Sequence, residues 1–122
     1  MLGNVVRATD GRGAQVQYDF TDSYGPSSGA PVSGKTYGLL TKSTYPLPQV
    51  TDTYSGNLSR TAQYDYGTGK PVSVTDLNGL QTTLQYSDSL DRLTSGTRAG
   101  QLTSFVYTDT PNALNVVAKR DQ

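Results

Sequence analysis

The stretch "DLNGLQTTLQYSD", Asp76 to Asp88, decides how this chain is read. It holds a turn, an alternating segment, and an aromatic followed two residues later by Asp. Asp76-Leu77-Asn78-Gly79 is built from residues that start turns through a side-chain oxygen or supply positive φ. Leu84-Gln85-Tyr86 alternates apolar with polar, which marks a strand with one covered face. The order recurs. Gly13, Gly79 and Gly100 are each followed seven residues later by an aromatic: Phe20, Tyr86 and Tyr107. Two residues beyond each aromatic stands an Asp: Asp22, Asp88 and Asp109. A less regular copy runs from Gly56 to Tyr64 and continues directly into Asp65. A fixed register of this kind is the signature of a repeat architecture.

Each copy also opens on a turn and an apolar residue: Gly3-Asn4-Val5, Gly38-Leu39-Leu40, Gly69-Lys70-Pro71-Val72 and Asp91-Arg92-Leu93. The four irregular copies span 3–22, 38–66, 69–88 and 91–109. An insertion occupies 23–36, a second excess lies between Tyr45 and Ser55, and 110–122 is a partial strand and tail. One unit therefore reads turn, strand, turn, strand. Such a hairpin cannot bury its aromatic face alone, so neighbouring hairpins must complete it. The expected class is all-β, an array of antiparallel hairpins in an open or curved sheet.

Composition agrees. All ten acidic residues are Asp, and Glu, His, Ile, Trp and Cys are absent. Without Glu the chain has little reason to form helices, while its Thr, Tyr and Val favour pleated surfaces. At 122 residues it has the length of one domain, and with 34% apolar residues it can build only a modest core. Ten cations balance ten anions, so no net charge draws it to nucleic acid or an anionic membrane. No apolar run approaches the length of a membrane span, and the N-terminus lacks the layout of a signal peptide. The missing His and Cys exclude Ser-His-Asp and Cys-His catalysis and remove the usual zinc ligands. No catalytic residue, cofactor or metal is expected.

Three features invite a sharper reading. "GAPVSGKT", Gly29 to Thr36, fits the phosphate-binding pattern G-x-x-x-x-G-K-[ST]. That motif needs a buried strand before it and a helix after it. Here polar residues precede it, and Gly38 and Pro46 follow closely, so nucleotide binding is a remote alternative. Asp19 with Asp22, and Asp88 with Asp91, have the separation of an acid–base pair, but Asp in such a chain commonly anchors turns. The nine Tyr allow a carbohydrate-binding surface. Phe20, Tyr64, Tyr86 and Tyr107 read as core-facing repeat residues with hydroxyls at the sheet margin. Tyr24, Tyr37, Tyr45 and Tyr54 fall in the inserted segments, and Tyr37 and Tyr45 are the candidate glycan contacts. Asn57-Leu58-Ser59 fits a glycosylation sequon.

Tyr64-Asp65, the Asp-x-x-Gly turns at Asp10–Gly13 and Asp76–Gly79, and "LDRL" at Leu90–Leu93 together resemble the YD repeats of RHS proteins. The resemblance covers about residues 3 to 109 and is best over Tyr64 to Leu93. Asp91 departs from it by standing where the pattern has Gly. It implies a non-catalytic segment of a β-sheet shell that in longer relatives encloses or presents a C-terminal effector, as in toxin complexes, or serves adhesion, as in teneurins. It also implies a bacterial, secreted or cell-surface setting. The implied partners are adjacent repeats of a longer chain, or self-association through sheet edges.

Overall fold

The computed structural model describes residues 3–25, 30, 35–47 and 58–121. Gly29 and residues 31–34 of the phosphate-loop pattern, Tyr54, Gly56 and Asn57 lie outside them. The chain is all-β. Among the described residues no helix forms, and none is long and apolar enough to cross a membrane. It divides into two compact units, Met1–Gly79 and Leu80–Gln122.

The first unit carries β1 (Arg7–Thr9), β2 (Gln15–Asp19), β3 (Lys42–Tyr45), β4 (Leu58–Tyr64) and β5 (Pro71–Thr75). Each strand pairs antiparallel with the next, so sequence neighbours are sheet neighbours. The register aligns Tyr18 with Ser43 and Ser43 with Arg60, placing the three side chains side by side on one face. Ala62 and Val74 pair further along that face. A bulge between Gln63 and Tyr64 shifts the register, so Tyr64 meets Pro71. Segment Ser23–Gly25 borders the same point: the Tyr64 amide donates to the Ser23 carbonyl (3.0 Å), and the Gly25 amide donates to that of Tyr64 (2.9 Å).

The second unit carries β6 (Gln81–Gln85), β7 (Ser95–Arg98), β8 (Gln101–Thr110) and β9 (Ala113–Arg120), again an antiparallel meander. The segment expected to be a partial strand and tail thus holds a full strand, β9. Thr103↔Arg120 through Thr110↔Ala113 pair without a break. The stretch Ala113–Arg120 lacks strict alternation, which hid its length. Val116 and Val117 project to opposite faces and both stay exposed.

The turns use the residues singled out above. Gly13, Gly79 and Gly100 have φ of 83°, 78° and 77°, a region where any Cβ is strained. The Asp10 carboxylate accepts from the Arg12 and Ala14 amides (2.8 and 2.9 Å), and its carbonyl accepts from Gly13. Asp76 repeats this with Asn78 (2.9 Å) and Gly79 (3.0 Å). Ala99 and Gly100 both take positive φ between the paired residues Arg98 and Gln101, the two-residue turn whose twist suits a hairpin.

Burial is polar. Among the described residues no apolar side chain is buried, whereas Asp22, Thr41, Ser43 and Ser73 are. Phe20, Tyr64, Tyr86 and Tyr107 are half-buried. Among the described residues the strands of each unit form one layer, so side-chain hydrogen bonds carry order that a packed core would otherwise supply.

Candidate functional site

The polar residues form a clasp that occurs twice. In the second unit, β6 ends at Gln85 and the chain returns at Thr94. The Thr94 amide (2.8 Å) and hydroxyl (3.1 Å) both donate to the Gln85 carbonyl. In between, Asp88 accepts from the Leu90 amide (2.7 Å) and from Arg92 Nε and Nη2 (3.0 and 2.7 Å). Arg92 also donates two bonds to Asp109, through Nη1 (3.0 Å) and Nη2 (2.5 Å). Its guanidinium lies 4.1 Å over the Tyr107 ring, and the Tyr107 hydroxyl donates to the Leu93 carbonyl (2.8 Å). A planar fork that serves two carboxylates and stacks on a ring is chemistry specific to arginine. The guanidinium bonds, with the Leu90 amide for Asp88, hold both carboxyls below the usual range, and the two carboxylates raise Arg92.

In the first unit, β2 ends at Asp19 and the chain returns at Thr41. The Thr41 amide donates to the Asp19 carbonyl (2.9 Å), as the Thr94 amide does to Gln85, while the Thr41 hydroxyl is shared between the Thr21 carbonyl (2.7 Å) and that of Asp19 (3.1 Å). Asp22, three residues after Asp19 as Asp88 is after Gln85, is the buried carboxylate. It accepts from the amides of Lys35 (3.1 Å), Thr36 (2.7 Å) and Tyr37 (3.1 Å), and from the Thr36 hydroxyl. Because that hydroxyl spends its proton on Asp22, Tyr24 must be the donor in the 2.9 Å bond between the Tyr24 and Thr36 oxygens. The Tyr64 hydroxyl donates to the Leu40 carbonyl (2.6 Å), matching Tyr107 and Leu93. Burial pushes the Asp22 carboxyl up, but the Thr36 hydroxyl and the three amides outweigh it and leave its pKa lowered.

The clasps differ in how the Asp is satisfied. Asp19 and Thr41 are 22 residues apart, Gln85 and Thr94 only 9. The short loop brings a guanidinium to Asp88, whereas the long loop curls its own backbone around Asp22. Two residues past the clasp tyrosine the tie also changes. Asp109 grips Arg92, while Tyr66 meets Tyr24 edge to face at 5.3 Å.

The Lys35 and Thr36 amides, which in the phosphate-binding motif would face a phosphate, face the chain's own Asp22. The acid–base candidates are likewise committed to separate partners. Asp19 accepts from the Thr21 amide (2.8 Å), a bond that lowers its pKa, and Asp22 turns to the 35–37 loop. Asp65 accepts from the Thr68 amide and hydroxyl (2.8 and 3.0 Å) and anchors the turn before β5. Asp91 takes φ 52°, the conformation a Gly would supply.

The candidate glycan contacts separate. Tyr37 is 47% exposed, sits at φ 50°, and its carbonyl accepts from Asn4 Nδ2 (2.7 Å). Tyr45 instead lines a groove of about 380 Å³ on the first unit's sheet, with Tyr18, Tyr64, Arg60, Ser43 and Val74 among its walls. Burial raises the Tyr64 phenol, and Arg60 pulls the other way. Sequence reasoning missed Arg60, Ser43, Thr41 and Arg92. Arg92 could have been found from its place beside the repeat's Leu93; the others become neighbours only through strand register. No known protein-family profile matches the chain, and none of the curated proteins matches it either.

Proposed function

We propose that the chain is a non-catalytic wall segment of a YD-repeat shell, whose work is to hold a sheet in register so that it can enclose or present a cargo. The observation that carries this reading is the doubled clasp. The Thr41 and Thr94 amides and the Tyr64 and Tyr107 hydroxyls make the same bonds to the same relative positions at different loop lengths, around an Asp, Asp22 or Asp88, that each loop satisfies in its own way. A unit whose Thr amide and Tyr hydroxyl close alike over 9 or 22 residues is a framework element that tolerates insertions. The commitment of the Lys35 and Thr36 amides to Asp22 supports a structural role for "GAPVSGKT" over nucleotide binding.

In a wall, each repeat is stabilised by its neighbour. Two copies of the chain joined head to tail are therefore expected to melt at a higher temperature than one, with no shift on adding millimolar ATP. Equal melting of single and tandem chains, or an ATP-induced rise abolished by Lys35→Ala, would overturn the reading.

A further inference from the structure

The groove on the first unit's sheet has features that the wall does not use. Ser43 at its floor is 7% exposed, and its hydroxyl has no hydrogen-bond partner among the described residues. A buried hydroxyl left unpaired costs about 1–3 kcal/mol, so native structures rarely keep one without a use. Register places it between Tyr18 on one side and Arg60 on the other. Arg60 is exposed and has no ion-pair partner among the described residues, unlike Arg92. The Tyr18 and Tyr45 hydroxyls also lack partners there, while that of Tyr64 is committed to Leu40. Arg60 is the charged side chain on the groove's face, since Lys42, one residue before Ser43 on β3, projects to the other face opposite Asp19, and no carboxylate lines the groove.

We propose that this groove binds an acidic saccharide, a uronate-type sugar whose carboxylate pairs with Arg60 and whose ring lies against Tyr18 and Tyr45 while a sugar hydroxyl satisfies Ser43. Four points select this class. The groove lies on a sheet face, where the backbone groups of β2, β3 and β4 are spent on each other, so an extended peptide finds no main-chain partners. Tyrosine rings offer an apolar face to the C–H surface of a sugar and a hydroxyl at the rim. A lone guanidinium matches one carboxylate bidentately, whereas a nucleic acid would need a run of cations. The volume of about 380 Å³ falls near the lower end of small-ligand sites, which run from about 300 to 1,000 Å³.

The test is isothermal titration of the full chain with a trisaccharide of galacturonic acid, with neutral galactotriose and with an oligo-aspartate peptide in parallel. The acidic sugar is expected to bind with Kd of roughly 0.1–1 mM and the neutral sugar about tenfold more weakly. Arg60→Gln should erase the difference between the two sugars, and Lys119→Gln should not. Ser43→Ala separates binding from folding: it should weaken binding while leaving the melting temperature equal or higher, because it removes an unpaired buried group. No heat with the acidic sugar at 10-fold above about 1 mM, equal affinity for both sugars, stronger binding of the peptide, or full binding by Arg60→Gln would each overturn the proposal.

Discussion

The Arg92 guanidinium lies 4.1 Å over the Tyr107 ring while it bridges Asp88 and Asp109 at 2.7 and 2.5 Å. One side chain thereby ties the connection between β6 and β7 to the far part of β8. Arg92→Ala leaves two carboxylates facing each other and is expected to lower the melting temperature of the second unit. Arg92→Lys should recover little of the loss, since an ammonium cannot offer paired parallel bonds to two carboxylates. Thermal denaturation followed by circular dichroism measures both; full rescue by Lys would contradict the planar-fork account.

The matching tyrosine bonds predict matching energies. Tyr64→Phe and Tyr107→Phe each delete a hydroxyl that donates to a loop carbonyl. Each is expected to cost about 1 kcal/mol in urea denaturation. A loss at one site with none at the other would show that the two clasps are not equivalent.

Stability should fall at both pH extremes. The Asp19, Asp22, Asp88 and Asp109 carboxyls are lowered in the folded chain. Their contribution is therefore present above the unfolded value of about 3.9 and is lost as pH drops below it. Burial raises the Tyr64 and Tyr86 phenols. That contribution is complete below about pH 10 and is lost as pH climbs through the folded values. Melting temperatures between pH 2 and 11 test this, and Asp88→Asn should flatten the acid limb. A profile without an acid limb would contradict it.

The turn between β7 and β8 carries a correctable strain. Ala99 sits at φ 50°, and Ala99→Gly or Ala99→Asn relieves it, with an expected gain of about 0.5–1 kcal/mol. Urea midpoints give the answer directly; a loss on both substitutions would mean that the turn is held differently.

The outer edge of β9 predicts association. The Asp121 amide donates to the Leu102 carbonyl, so alternation turns the backbone groups of Leu114, Val116, Ala118 and Arg120 away from β8. Among the described residues nothing pairs with them. Sedimentation velocity should show concentration-dependent self-association, and Val116→Pro should suppress it without breaking a β8 bond. A chain that stays monomeric at every concentration would contradict an open edge.

Much of the fold was legible in the sequence, because the turn residues act locally. Gly13, Gly79 and Gly100 occupy positive φ, and Asp10 and Asp76 close their own turns within four residues. The recurring Asp was legible as a position but not by its partner. Asp22 finds the Lys35–Tyr37 amides 13 to 15 residues away, and Asp109 finds Arg92 17 residues back. Nothing in residue type announces such pairings. The groove was less visible still. Tyr18, Ser43 and Arg60 meet only because three strands adopt one register, and a shift of one residue would send Arg60 to the opposite face.

The central claim is that the two clasps are copies of one repeating unit. Its most direct measurement is the thermal unfolding of a loop exchange, in which residues 23–40 are replaced by the short loop Ser89–Leu93 and Tyr66→Asp supplies the second carboxylate. The account predicts that the inserted guanidinium takes over Asp22, leaving the β-sheet spectrum intact and the melting temperature equal to or above that of the parent chain. A chimera that loses its sheet signal, or melts well below the parent, would contradict it.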